Sequence, residues 1–127
     1  MAIEIRLLRR GNVPSSSHFL RKGCLLEVET PSLTEERGTT RVRVIVENKE
    51  DVLGSIVPMD NDMTLREVEK DEEVVLKKGE SFFIKNGSKV SFVARGQIQI
   101  RRGEKWKRGE TVKTEWDTIE VRAFYDN

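Results

Sequence analysis

The stretch Phe82-Phe83-Ile84-Lys85-Asn86-Gly87-Ser88-Lys89-Val90-Ser91-Phe92 decides the fold class. Asn-Gly between two β-rich runs is the strongest short-range hairpin signal, because a type I′ turn needs positive φ at both central residues. A two-residue loop pairs Lys85 with Ser88 and Phe83 with Val90, and it puts Phe83, Val90 and Phe92 on one face. The next turn, Arg95-Gly96, then places Val93, Ile98 and Ile100 on the other face. A ribbon apolar on both faces predicts core on one side and a partner or loop on the other. A bulge in either strand would shift that register.

Outward from this ribbon, the glycines set a rhythm. Gly79, Gly87, Gly96, Gly103 and Gly109 pace the C-terminal half as a meander of short strands and tight turns. Pro14, Pro31 and Pro58 and the wider glycine spacing predict longer loops before it. Period-two alternation marks further strands at Ile3-Ile5-Leu7, Leu26-Val28, Val42-Val44-Val46, Val52 to Val57, Ile98-Ile100 and Ile119-Val121-Ala123. Composition agrees: 14 Val, 8 Ile and 8 Thr stand against 3 Ala. β-Branched side chains lose rotamers in helices and pack well on pleated surfaces. The expected fold is an all-β antiparallel sandwich or jelly-roll-like barrel spanning 1–127, with at most one short helix near 64–70. That helix rests on the capping-box spacing of Thr64 and Glu67. Residues 10–17 read as a hinge that leaves 1–9 as a detachable N-terminal strand or arm.

At 127 residues the chain is of one-domain size and can bury a core without a metal or covalent staple. No apolar run is long enough for a membrane helix. Charges at Glu4, Arg6, Arg9 and Arg10 interrupt what a secretory signal would need. Cys24 is the single cysteine, which fits a reducing, cytoplasmic compartment. The net charge of +1 conceals a bipolar chain: residues 1–25 and 76–100 each carry +4, and residues 51–75 carry −6. Such a chain either carries complementary surfaces that favour self-association or simply alternates solvated turns.

No catalytic constellation emerges, and the chain leans away from being an enzyme. Ser15, Ser16, Ser17 and His18 are adjacent, but a nucleophile needs a base that a third group orients, and adjacency does not supply one. Cys24 lies in a strand pattern and reads as a small core residue. Asp60-Asn61-Asp62 is acidic, yet a calcium loop begun at Asp60 has Leu65 where Gly is required and Asp71 where Glu is required. With one histidine and one cysteine, no structural zinc site of the usual kind can form. Neither metal nor cofactor is expected.

Two binding functions remain, with a small-molecule or enzymatic β-barrel behind them. The first is self-association or binding of another protein, with Phe82, Phe83, Phe92, Trp116 and Tyr125 as candidate anchors. The second is binding of single-stranded nucleic acid through basic turns at Lys85, Lys89, Arg101, Arg102, Lys105, Lys107 and Arg108, with Trp106 as a stacking platform. Alternating hairpin ends would gather Lys85, Lys89, Arg101, Arg102 and Lys105 at one end of the sheet. Lys77, Lys78, Arg95, Lys107 and Arg108 would gather at the other. Short strands with Lys-Gly and Arg-Gly turns resemble small jelly-roll and β-sandwich domains in architecture. That resemblance implies a fold used by virion proteins, ligand-binding barrels and accessory subunits alike, and it selects no function among them. The expected role is a non-enzymatic assembly module, with a virion or other structural subunit as one setting.

Overall fold

A computed structural model describes residues 2–8, 14–31, 39–94, 96–102, 110–114 and 118–124; at 14–16, 30–31, 39, 96–102 and 110–114 only the backbone is considered. These residues form twelve strands: β1 (Ala2–Leu8), β2 (Pro14–Arg21), β3 (Cys24–Pro31), β4 (Thr39–Lys49), β5 (Val52–Pro58), β6 (Met63–Glu67), β7 (Glu72–Leu76), β8 (Phe82–Lys85), β9 (Lys89–Val93), β10 (Gly96–Arg102), β11 (Glu110–Thr114) and β12 (Thr118–Phe124). They pair into two six-stranded sheets. Sheet A has the order β2-β1-β12-β9-β6-β7, and sheet B has β11-β10-β3-β4-β5-β8. Every pairing is antiparallel. The sheets face one another as a sandwich and are not closed into a barrel.

The core follows directly from the alternation. Ile3, Ile5 and Leu7 of β1, Ile119, Val121 and Ala123 of β12, and Val90 and Phe92 of β9 are buried from sheet A. Leu26, Val28, Val42, Val44, Val46, Ile56 and Ile84 are buried from sheet B. Successive side chains on a strand point to opposite faces, so one periodic set fills the space between the sheets and its complement faces out. Gly54 marks a close approach of the two layers. A Cβ at that position would lie 2.3 Å from the Ile45 carbonyl oxygen and 2.7 Å from Ile3 Cδ1, across the sandwich.

The structure departs from the sequence expectations in several places. The limit of at most one short helix holds, since no residue among those described is helical, but the candidate segment itself is a strand. Thr64 to Glu67 lies in β6, where Met63 and Leu65 are buried and Thr64 and Arg66 pair with Val75 and Glu73 of β7. Met63 and Leu65 are two residues apart, a spacing that a strand buries on one face and a helix does not. One capping-box turn also cannot repay the cost of helix nucleation.

The Asn86-Gly87 turn forms, but it does not close a hairpin. Ser88 N–H donates to the Lys85 carbonyl at 2.9 Å, and positive φ occurs at Gly87 (82°) and not at Asn86. That pattern belongs to a type II turn rather than type I′. β8 pairs with β5 in sheet B, whereas β9 pairs with β12 and β6 in sheet A. The turn therefore carries the chain from one sheet to the other. It is tied down by Gly87 N–H donating to the Ala123 carbonyl at 2.8 Å and Ala123 N–H to the Ser88 carbonyl at 3.1 Å. The glycine-paced half is consequently no meander. From β7 to β10 the chain changes sheet at every step, while three consecutive strands of the first half, β3-β4-β5, do form one. Of residues 1–9, expected as a detachable strand or arm, 2–8 form β1, which pairs with β2 on one side and β12 on the other.

Candidate functional site

Among the described strands, four end the two sheets: β2 and β7 in sheet A, β11 and β8 in sheet B. An edge strand presents unpaired backbone groups, and sheet proteins ordinarily blunt it with lysine, proline or a covering loop. Here three edges each carry an exposed large hydrophobic side chain. Phe19 on β2 is 55% exposed, Val75 on β7 is 54% and Phe83 on β8 is 58%. Phe19 is steadied by an edge-to-face contact with Phe124, 6.1 Å between centroids at 83°.

Phe83 also heads a row across the outer face of sheet B. Register sets it opposite Ser55, then Ile45, then Leu25. Ile45 and Leu25 are half-buried, and they floor a groove of about 600 Å³ rimmed by Lys22, Glu47 and Lys49. A second groove, of about 580 Å³, runs along the free side of β8. Phe82, Phe83, Lys85, Lys89 and Lys70 line it, together with Glu67 and Glu69.

The residues proposed from sequence separate as follows. Phe83 and Lys85 are exposed at the β8 edge, and Phe82 is half-buried against the core. Phe92 is a core residue at 3% exposure, so it anchors the sandwich rather than an interface. Lys89 is half-buried and paired with Glu120 at 3.2 Å. Arg101 and Arg102 belong to β10, opposite Leu25 and Cys24, at the sheet end that Lys85 also occupies; nothing is described of their side chains. Lys105, Trp106, Lys107, Arg108, Trp116 and Tyr125 lie outside the described residues. His18 and Ser17 are consecutive on β2, so their side chains point to opposite faces and cannot form a dyad. Cys24 packs partly buried against the core.

The acidic loop that failed as a calcium motif has a structural use. Asp60 takes two hydrogen bonds from the Arg41 guanidinium, at 2.9 and 3.2 Å. Asp62 accepts the Lys78 backbone N–H at 2.9 Å and lies 3.4 Å from the Lys77 ammonium. The buried Thr40 hydroxyl accepts from Asn61 N–H at 2.9 Å and Asp60 N–H at 3.3 Å, and it donates to the Asn61 carbonyl at 3.0 Å. The hydrogen bond from Arg41 holds the Asp60 carboxyl below the ordinary aspartate range, and the Lys78 N–H does the same for Asp62. Among the described residues no group of three or more His, Cys, Asp or Glu could hold a metal ion. Sequence reasoning missed this clamp because Thr40 and Asp60 are twenty residues apart and meet only through the β4–β5 pairing.

Comparison with protein-family models gives no match, and neither curated proteins nor solved structures show a similar chain.

Proposed function

We propose that this chain is a non-enzymatic protein-binding β module that associates with copies of itself through open sheet edges. One observation carries the reading: three of the four described edge strands expose a large hydrophobic side chain where edges are ordinarily protected. Phe83, with Ile45 and Leu25 beyond the buried Ser55 in the same row, adds apolar surface of the kind that forms the centre of an interface. A structural subunit, of a virion or another assembly, is the setting this fits. A reducing, cytoplasmic compartment belongs to the same proposal through the single half-buried cysteine. No helix among the described residues is long and apolar enough to cross a membrane.

Size-exclusion chromatography with light scattering, over a range of protein concentration and salt, tests this. The expected result is a mass above 14.7 kDa that rises with concentration. A particle of 14.7 kDa at the highest attainable concentration refutes it.

A second reading is favoured by the groove along β8, where Phe82 and Phe83 stand beside Lys85, Lys89 and Lys70. An aromatic platform with cations is what single-stranded nucleic acid uses. It ranks below the first because Lys89 is spent on Glu120 and Lys70 on Glu67, and because Glu69 lines the same groove. Titration with a mixed oligonucleotide at low salt decides it: binding that Lys85→Gln weakens supports this reading, and no binding removes it.

A further inference from the structure

The edges of sheet A are complementary to each other, which the sequence alone does not reveal. Five antiparallel pairings separate β2 from β7, so the two edge strands run in opposite directions. A second copy displaced sideways, without being turned over, therefore brings its β2 antiparallel to β7 of the first, and sheet A continues across the junction. Sheet B obeys the same arithmetic, with five antiparallel pairings between β11 and β8.

Side chains set the register. On β7, Leu76 is buried in the core, so Val75 and Glu73 face outward. On β2, Leu20 is buried, so Phe19 and Arg21 face outward. Setting Phe19 opposite Val75 in an antiparallel ladder brings Arg21 opposite Glu73 and Leu20 opposite Val74, and carries Lys22, in the turn just past β2, toward Glu72. The two exposed apolar groups then cover one another, two cations meet two carboxylates, and each strand keeps its core residue on the inner face. Directly opposed apolar and opposite-charge pairs are the stabilising unit of a sheet. Two-fold pairing of β2 with β2 about Phe19 would instead set Arg21 opposite Ser17 and match no charge, and β7 with β7 about Val75 would set Glu73 opposite Lys77, which lies past the strand end and already sits 3.4 Å from Asp62. Of the three, only β7 with β2 matches both the apolar and the charged groups within the two strands.

We propose that the chain self-assembles head to tail, β7 of one copy pairing with β2 of the next, to form a ring or a filament according to whether the rotation closes. This rests on the self-association reading above and specifies its interface.

Charge reversal tests it. Glu73→Arg sets a second cation against Arg21 at every junction, and Arg21→Glu sets a second carboxylate against Glu73. Each variant alone is expected to need about tenfold or more higher concentration to assemble, since like charges now face across the junction. Mixed in equal amounts they are expected to co-assemble, because both kinds of junction in an alternating array again pair opposite charges. Circular dichroism verifies that each variant is folded. If Arg21→Glu is not, Lys22→Glu with Glu72→Lys makes the same test at the adjacent pair. Loss of assembly in each single variant with recovery in the mixture supports the junction. Wild-type assembly that persists in the single variants, or that the mixture does not restore, overturns this junction and leaves self-association standing. A strictly monomeric wild type overturns both.

Discussion

Gly54→Ala is the most stringent test of how closely β5 packs on β4 beside it and on β1 across the sandwich. Its backbone lies outside the left-handed region, so the substitution is a matter of space alone. The added methyl would sit 2.3 Å from the Ile45 carbonyl oxygen, 0.7 Å inside the 3.0 Å that real Cβ atoms respect, and 2.7 Å from Ile3 Cδ1. Ile3 can adjust at the end of a side chain. The carbonyl belongs to β4 in mid-sheet and moves only with the ladder. Overpacking of this kind costs about 1–3 kcal/mol, and a backbone obstacle puts Gly54 at the upper end, about 3 kcal/mol. The lower entropy of the unfolded alanine chain offsets about 0.4–1 kcal/mol. A net loss of about 2–3 kcal/mol lowers Tm by roughly 10 °C for a chain of this size. Thermal melts and urea titration should show the lower Tm and midpoint with an unchanged m value. Adding Ile3→Val should return part of the loss and no more, since it removes Cδ1 but not the carbonyl. A fall in Tm of less than about 2 °C, or full rescue by Ile3→Val, would refute the close approach at residue 54.

The remaining predictions concern the clamp at the far end of β4. Thr40→Val keeps the shape of the side chain but removes the hydroxyl that bonds the Asn61 N–H and carbonyl. It should cost about 1–3 kcal/mol and speed hydrogen exchange at the Asn61 amide, and unchanged exchange would contradict the bonding described. Asp60 and Asp62 are held below their ordinary value in the folded chain, so folding favours their ionised forms. Their contribution to stability is complete above the unfolded aspartate pKa, about 3.9, and is lost as pH falls through the lower folded values. Tm should therefore drop on acidification from about pH 5 to pH 2, with a shallower slope in Asp60→Asn. Equal slopes in the two proteins would exclude Asp60 as a contributor.

Much of the sandwich is legible residue by residue. Val42-Val44-Val46 and Ile119-Val121-Ala123 alternate in sequence and are buried in that alternation, whereas β1 buries Ala2, Glu4 and Leu8 as well as Ile3, Ile5 and Leu7. Edge and partner are not legible. Phe82-Phe83-Ile84 and Val90-Ser91-Phe92 read as the two arms of one hairpin, yet they belong to different sheets, and Phe83 is exposed while Phe92 is core. Thr64-Leu65-Arg66-Glu67 satisfies a helix rule that its pairing with β7 overrides. The charge asymmetry between segments is visible as a count. That Glu73 and Arg21 stand on opposite edges of one sheet is not, because the whole strand order of that sheet lies between them.

What the sequence determined by itself is the local chemistry: extended backbone from β-branched residues, an inward and an outward set from period two, and a turn at Asn86-Gly87. These depend on neighbours a few residues apart, whose steric and hydrogen-bonding preferences are strong. Only the tertiary structure decided which strands pair, which of them end a sheet and which hydrophobic side chains remain in water. Period two states that a strand has a buried face, but a hydrogen-bonding edge is satisfied equally well by many partners. The choice among them is made by how all the inner faces pack together at once.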